Sequence, residues 1–256
     1  MKYMKKLFAS DFDNTLYFRQ ETPQIRPGIA DAVKRFQEAG HLFGICTGRP
    51  ARGLEEYYMG IFRPDFIIGS SGAVILDRDG KTLMEQTVSF DALRELEQSG
   101  RDRGFTCAVQ AEGRFLLLDR EGSSSWNMPR IQSLDEVYGR AIHGISFLTG
   151  SDSAAGSFVR EISERFSDSI SAWQNRTAVD VNAAGCSKGN ALQQTAALLQ
   201  ADRTYGMGDS LNDLPLVSSA DVGFTFRTAP EVLQHKAARL VDTAEEAILQ
   251  ALEDAG

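Results

Sequence analysis

Leu7-Phe8-Ala9-Ser10-Asp11-Phe12-Asp13-Asn14-Thr15-Leu16 sets a short, mostly apolar run directly against two acids. Such a run suits a buried strand that delivers polar groups at its carboxyl end. Outward from it, Pro27 opens a helical pattern in which Ile29, Val33, Phe36 and Ala39 recur at helical spacing until Gly40 stops it. Leu42 to Cys46 reads as a second buried strand, running into Thr47-Gly48-Arg49-Pro50 and another helix to about Gly60; Phe66 to Ile68 reads as a third. Strand, helix, strand, helix, strand is the rhythm of a parallel sheet covered on both faces, so the expected class is α/β.

That rhythm breaks after Gly69-Ser70-Ser71-Gly72. Ala73 to Leu76 and Thr82 to Met84 flank Asp77-Arg78-Asp79-Gly80, a hairpin turn signal. A helix from Phe90 and strands near Thr106 to Gln110 and Phe115 to Leu118 follow, then a polar loop, Glu121 to Ser125. A strand at Ile142 to Leu148, a helix at Ser153 to Phe166 and strands at Ile170 to Trp173 and Ala178 to Val181 complete the section. Hairpins mixed with helices predict an inserted α+β domain over residues 80–184, within a core formed by 1–79 and 185–256. Alternation returns with a helix at Lys188 to Leu199, a strand at Thr204 to Met207, a helix at Leu211 to Ser218 and a strand at Asp221 to Phe224.

A formal charge of −8 and a pI near 5.0 disfavour nonspecific attraction to nucleic acid or to anionic membrane. An anionic substrate must therefore be met by a few local cations, with or without a metal. Cys46, Cys107 and Cys186 are odd in number and in no metal-ligand spacing, which suits a reduced cytoplasmic interior. The basic opening MKYMKKLF meets Asp11 and Asp13 almost at once, against an export signal, and no run has the length of a membrane span.

Four segments sit where chemistry is expected, because ligands of open α/β sheets bind outside the carboxyl ends of the strands. Asp11 and Asp13 can divide labour, one carboxylate attacking and holding a cation, the other handling a proton; both also fit ordinary loop or cap acids. Thr47-Gly48 offers a hydroxyl and backbone N–H groups as a phosphate cradle, or a plain capped turn. Lys188 opens a helix, where its charge adds unfavourably to the dipole unless an anion intervenes; the ordinary alternative is a lysine bent into water. Gly206-Met207-Gly208-Asp209-Ser210-Leu211-Asn212-Asp213 again runs a strand into acids, with Asp209 placed for a cation and Asn212 and Asp213 in the following turn. Carboxylates crowded at one sheet edge call for a hard divalent ion, magnesium in the company of a phosphate.

In this order the segments resemble the haloacid dehalogenase-like superfamily of phosphatases, in particular the Cof-type sugar-phosphatase group with a large α/β cap between its second and third motifs. DFDNTL is similar to the first motif, ICTGR to the second, the lysine of CSKGNAL to the third and GDSLND to the fourth; VDVNAAG resembles the return from cap to core. The resemblance spans the whole chain. It implies a three-layer Rossmann-like core with an α+β cap, Mg2+ as cofactor and a small phosphorylated metabolite as substrate. It also implies Asp11 as nucleophile and metal ligand, forming an aspartyl-phosphate, and Asp13 as general acid and base, with its carbonyl on the metal. Thr47, Gly48 and Asn212 would hold phosphate oxygens, Lys188 would neutralise charge, Asp209 would complete the metal ligands, and Asp213 would support Lys188 or the metal's waters. Asn14 stands where the family more often has glycine, and Gly223 to Pro230 matches the usual pattern only loosely.

Two further readings stay open on the same residues: a phosphomutase, which would keep Asp13 but retain the phosphoryl group, and a noncatalytic phosphoacceptor, which would need neither Asp13 nor the insert. A phosphonate hydrolase would want a cap amine, and no lysine lies between Lys81 and Lys188. Trp126, Arg130, Trp173 and Arg176 are candidates for substrate contact, although packing for the tryptophans and solvent for the arginines are the simpler expectation. His41 and His143 read as structural. Monomer and homodimer are equally compatible with these residues.

Overall fold

The first strand is central because its two faces feed different cores. Phe8 points to one side of the sheet, while Leu7 and Ala9 point to the other; all three are fully buried. The computed structural model describes residues 4–122 and 128–255. Trp126 and the loop's Ser123 to Ser125 lie outside the described residues.

In chain order the elements begin with β1 (Lys6–Ser10), α1 (Pro27–Glu38), β2 (Leu42–Cys46), α2 (Glu55–Tyr58), β3 (Phe66–Gly69), β4 (Val74–Asp77) and β5 (Thr82–Glu85). Next come α3 (Phe90–Arg101), β6 (Thr106–Ala111), β7 (Arg114–Leu118), β8 (Arg130–Ile131), β9 (Ile142–Leu148), α4 (Asp152–Arg165), β10 (Ile170–Asn175) and β11 (Ala178–Ala183). The chain closes with α5 (Lys188–Leu198), β12 (Arg203–Gly208), α6 (Leu214–Ser219), β13 (Val222–Phe226), α7 (Glu231–Gln234), β14 (Arg239–Val241) and α8 (Ala244–Glu253).

Two sheets result. An eight-stranded sheet runs β14-β13-β12-β1-β2-β3-β4-β5, parallel from β14 to β3 and antiparallel over its last two pairings. Phe8 pairs in register with Phe43 and Tyr205, and the three rings stack at 5.8 and 6.2 Å, so one aromatic row crosses the sheet centre. Ile29, Val33 and Phe36 of α1 and Ala247 and Ile248 of α8 cover that face. Ala191 and Leu192 of α5 and Leu216 of α6 cover the other, giving three layers. The chain leaves β1 toward β2 and β3 but returns on the opposite flank at β12. β1 therefore borders the point where strand order reverses, where a crevice opens at the carboxyl ends.

The second sheet, β10-β11-β9-β6-β7-β8, has α3 and α4 on one face. Val109, Ile145, Phe147, Val179 and Val181 pack toward these helices, and the residues alternating with them face the eight-stranded core. The expected change-over at residue 80 needs correction. Gly80 belongs to the turn joining β4 and β5, and β5 stays in the core sheet because the turn returns it antiparallel onto β4. The chain crosses to the second sheet only beyond Glu85. Two smaller differences concern helices. The expected helix up to Gly60 is a single turn at Glu55–Tyr58, and Leu211–Asp213 forms a 3-10 turn before α6 begins. Among the described residues, no helix is long and apolar enough to cross a membrane.

Candidate active site

Asp11 follows β1 immediately, and its N–H donates to the Met207 carbonyl at 2.8 Å, so the β1–β12 pairing continues one residue past the strand. That extra rung fixes the carboxylate at the sheet edge. The chain then curls: Leu16 and Tyr17 donate N–H groups to the Phe12 carbonyl, and Asn14 takes a φ of 59°. Asparagine tolerates this left-handed conformation where most side chains do not, which explains how it replaces glycine here. Thr15 Oγ1 donates to Asp11 Oδ2 at 3.2 Å.

Lys188 is the first residue of α5 and only 2% exposed. It does not bend into water. Its Nζ donates to Asp11 Oδ1 at 2.6 Å and to Asp213 Oδ1 at 2.5 Å. Ser187 Oγ accepts from Asn190 N–H at 3.1 Å and caps the helix, which holds the lysine at its mouth. Asp213, fully buried, turns its Oδ2 to the N–H groups of Asp209 and Ser210, each at 3.0 Å. One side chain thus ties the β12 loop to the lysine. Gly208 permits this, since a Cβ there would stand 2.2 Å from that of Asp213.

Charge accumulates in this corner. Lys188, Asp11 and Asp213 sum to one negative charge, and Asp209 adds a second. Burial pushes the Asp11 carboxyl well above the usual range, and the Asp213 and Asp209 charges add to that against the pull of Lys188. Burial likewise raises Asp209 to about 6, with Asp213 contributing. Burial works against a charged Lys188, but Asp11 and Asp213 outweigh it and hold the ammonium protonated. Oxygens of Asp11, Asp209 and Asp213 lie within 4.8 Å of one another. An all-carboxylate cluster with surplus negative charge fits a hard divalent cation. Asp213 is already committed to Lys188 and to two N–H groups, which leaves Asp11 and Asp209 as the freer donors.

Asp13 stands apart from the cluster. Arg49 grips it at both oxygens, Nη2 to Oδ1 at 2.6 Å and Nε to Oδ2 at 2.8 Å. The guanidinium lies 4.7 Å over the Tyr57 ring and 5.7 Å from Phe12 and Tyr17. Thr47 is pinned by its N–H to the Ile68 carbonyl, by its carbonyl to Ser71 N–H, and by its Oγ1 accepting from Arg49 N–H. Gly48 follows it, open to the crevice.

Asp11, Asp13, Thr47, Gly48, Asp209 and Asn212 all line one cavity of about 290 Å³, with Lys188 and Asp213 buried directly behind them. The structure therefore brings together all eight residues singled out in the sequence. Its opposite wall is the second sheet, through Ala108, Leu117, Ser146, Leu148 and Asp180. Among the earlier contact candidates, Arg176 lines the cavity, Trp173 Nε1 is tied to the Cys186 carbonyl at 3.3 Å, and Arg130 pairs with Asp119. His143 pairs with Glu85 at 2.7 Å across the junction of the two sheets, and His41 Nδ1 accepts from Lys6 N–H. Two residues of this cavity carry no distinct signal in the sequence. Arg49 stood inside a quoted motif without a role, and Asp180 was hidden between two valines.

The family model for haloacid dehalogenase-like hydrolases matches residues 8–252. A phosphoglycolate phosphatase from Sulfurisphaera tokodaii is 24% identical over 228 residues, covering 88% of this chain and 83% of that protein. Among solved structures, BT1666 from Bacteroides thetaiotaomicron, from a study of phosphatases of the haloalkanoate superfamily, superposes with a TM-score of 0.80 at 24% identity, covering 98% of this chain and 94% of its own. The subclass IIB sugar phosphatase BT4131 gives 0.78 at 17% identity over 96% and 97% of the two chains. At such identities the structural likeness establishes the fold, while the family match, over nearly the full length, establishes kinship. This chain belongs to the haloacid dehalogenase-like hydrolases.

Proposed function

We propose that this hydrolase is a magnesium-dependent phosphatase acting on a small phosphate monoester, a sugar phosphate or related metabolite, through an aspartyl-phosphate. The observation that carries the reading is Lys188 Nζ held between Asp11 and Asp213 at 2.6 and 2.5 Å, directly behind the floor of a cavity that Asp11 and Asp209 line. Asp11 is the nucleophile: its carboxylate attacks phosphorus as the ester P–O bond breaks, and the leaving oxygen takes a proton from Asp13. Asp13 then removes a proton from water, which attacks phosphorus and frees Asp11 and inorganic phosphate. Thr47, Gly48 and Asn212 orient the phosphoryl oxygens, and Lys188 offsets charge between nucleophile and phosphate.

Asp11, Asp209 and the Asp13 carbonyl would hold magnesium, with Asp213 supporting Lys188. Bound there, the ion supplies charge neutralisation between an anionic nucleophile and an anionic phosphate. The layer built on β6 to β11 serves as the cap, crossing from the core near Gln86 to Ser89 and back near Ala184 to Ser187. It keeps bulk water from the phosphoryl group. The BT4131 and phosphoglycolate phosphatase relatives support a small metabolite as leaving group. Three buried free cysteines fit a reducing compartment, and we place the reaction in the cytoplasm.

The test is release of inorganic phosphate from a metabolite panel with and without magnesium, beside Asp11→Asn. The expected result is turnover that needs the metal and vanishes in the folded variant. Comparable activity in Asp11→Asn removes Asp11 from the nucleophile's role.

A further inference from the structure

The cap wall carries one polar feature that the proposed chemistry does not use. Asp180 on β11 and Ser146 on β9 are direct cross-strand partners, and Gln110 on β6 lies diagonal to them on the same face. They form a directed chain: Gln110 Nε2 donates to Ser146 Oγ at 3.1 Å, and Ser146 Oγ donates to Asp180 Oδ1 at 2.6 Å. Asp180 is 7% exposed, and none of the ion pairs among the described residues includes it. Its second oxygen, Oδ2, lies 3.6 Å from the point where a Cβ on Gly48 would stand, beside the phosphate cradle. The wall around it combines the apolar Ala108, Leu117, Leu148 and Ala178 with the polar Asn175 and Arg176.

A buried carboxyl with Ser146 and Asn175 as polar neighbours and with Oδ2 turned to a cavity keeps acceptor capacity that a ligand in that cavity can complete. Valines flank Asp180 toward the helices, so the side chain has no route to solvent on that face. Resting on the phosphatase reading, we propose that Asp180, oriented by Ser146, is a specificity residue that hydrogen-bonds a hydroxyl on the carbon next to the phosphorylated carbon. Proximity to Gly48 sets that position: a group meeting Oδ2 is only one or two bonds beyond the ester oxygen. Burial pushes the Asp180 carboxyl up against the hydrogen bonds from Ser146 and Asn175. A hydroxyl suits either protonation state, as it can donate or accept, whereas an ammonium needs the ionised form beside an anionic phosphate. The substrate class is thus the vicinal hydroxyalkyl phosphates.

The experiment compares kcat/KM for 2-hydroxyethyl phosphate, its isostere propyl phosphate and 2-aminoethyl phosphate, with p-nitrophenyl phosphate as reference. The wild type should favour the hydroxyl compound over propyl phosphate on the order of 10- to 100-fold, the value of one hydrogen bond to a charged or strongly polar group. That ratio should fall toward one in Asp180→Leu and fall partway in Ser146→Ala, which keeps a testable arm if the first variant folds poorly. A wild-type ratio near one, a ratio retained in Asp180→Leu, or a preference for the amine overturns the hydroxyl assignment alone. Failure of every ester, p-nitrophenyl phosphate included, overturns the phosphatase reading beneath it.

Discussion

Arg49 holds Asp13 by both carboxylate oxygens, at 2.6 and 2.8 Å, while three aromatic rings surround the guanidinium. A planar fork on a carboxylate fixes direction as well as charge. The side chain proposed to protonate the leaving oxygen is thus oriented by a residue 36 positions away in the chain, and one of its oxygens must leave the guanidinium before a proton can pass through it. Proton donation matters most when the leaving alkoxide is basic and least for p-nitrophenolate. Arg49→Gln should therefore slow alkyl phosphates at least about 10-fold more than p-nitrophenyl phosphate. Equal losses on both substrates, in steady-state kinetics, would reduce Arg49 to a structural role.

Lys188 is a buried cation shared by two buried anions. Removing it leaves Asp11 and Asp213 facing each other without compensation, which costs about 3–5 kcal/mol in comparable buried pairs. Lys188→Met should lower unfolding stability by that order in metal-free urea titrations. The double variant Asp11→Asn with Lys188→Met should cost at least about 1 kcal/mol less than the sum of the singles, because the pair is coupled. Strict additivity would show that the contact carries little energy.

The floor of the candidate site is legible because each member sits at the end of an apolar run. Leu7 to Ser10, Leu42 to Cys46 and Thr204 to Met207 can only be interior strands, so the polar residues that follow them must gather at one sheet edge. The strand Thr82–Glu85 was harder. Thr82 and Glu85 are exposed and only Leu83 and Met84 are half-buried, so nothing in this short stretch says which sheet it joins; the Asp77 to Gly80 turn decides that by returning it onto β4. Asp180 was illegible for a related reason. An acid alternating with valines reads as the wet face of a strand, and only the placement of the second sheet over the core makes that face a cavity wall. The Arg49–Asp13 pair likewise depends on two loops meeting, which periodicity does not encode.

Two glycines of the site answer to different constraints. At Gly208 a methyl group would stand 2.2 Å from Asp213 Cβ and 2.3 Å from its Cγ, so alanine must displace the carboxylate that anchors Lys188. Gly208→Ala should cost about 1–3 kcal/mol by overpacking and lower kcat with it. At Gly48 the nearest atoms to such a methyl are Ser71 Oγ at 3.4 Å and Asp180 Oδ2 at 3.6 Å, an ordinary fit. Gly48→Ala should change stability by less than about 1 kcal/mol while raising KM, since the methyl enters the proposed phosphate cradle. Thermal melts and kinetics on both variants check the contrast; similar destabilisation at the two positions would refute it.

The magnesium proposed at Asp209 would compete with a proton there, and the sign of that competition is fixed. Its carboxyl titrates at about 6 in the folded chain, against roughly 3.9 when unfolded. The metal-free folded state therefore binds more protons between these values, so this group's contribution to stability is fullest below about 4 and is lost as pH rises through about 6. Asp11 shifts in the same direction, through burial and the neighbouring carboxylates. A divalent ion requires the ionised carboxylates, so its stabilising effect must grow over the same interval in which the proton's fades. The rise in melting temperature produced by a fixed magnesium concentration should be larger at pH 7.5 than at pH 5.5. Asp209→Asn should flatten that difference, and chelation should abolish phosphate release at both pH values. A magnesium shift independent of pH, or undiminished in Asp209→Asn, would place the ion elsewhere than between Asp11 and Asp209.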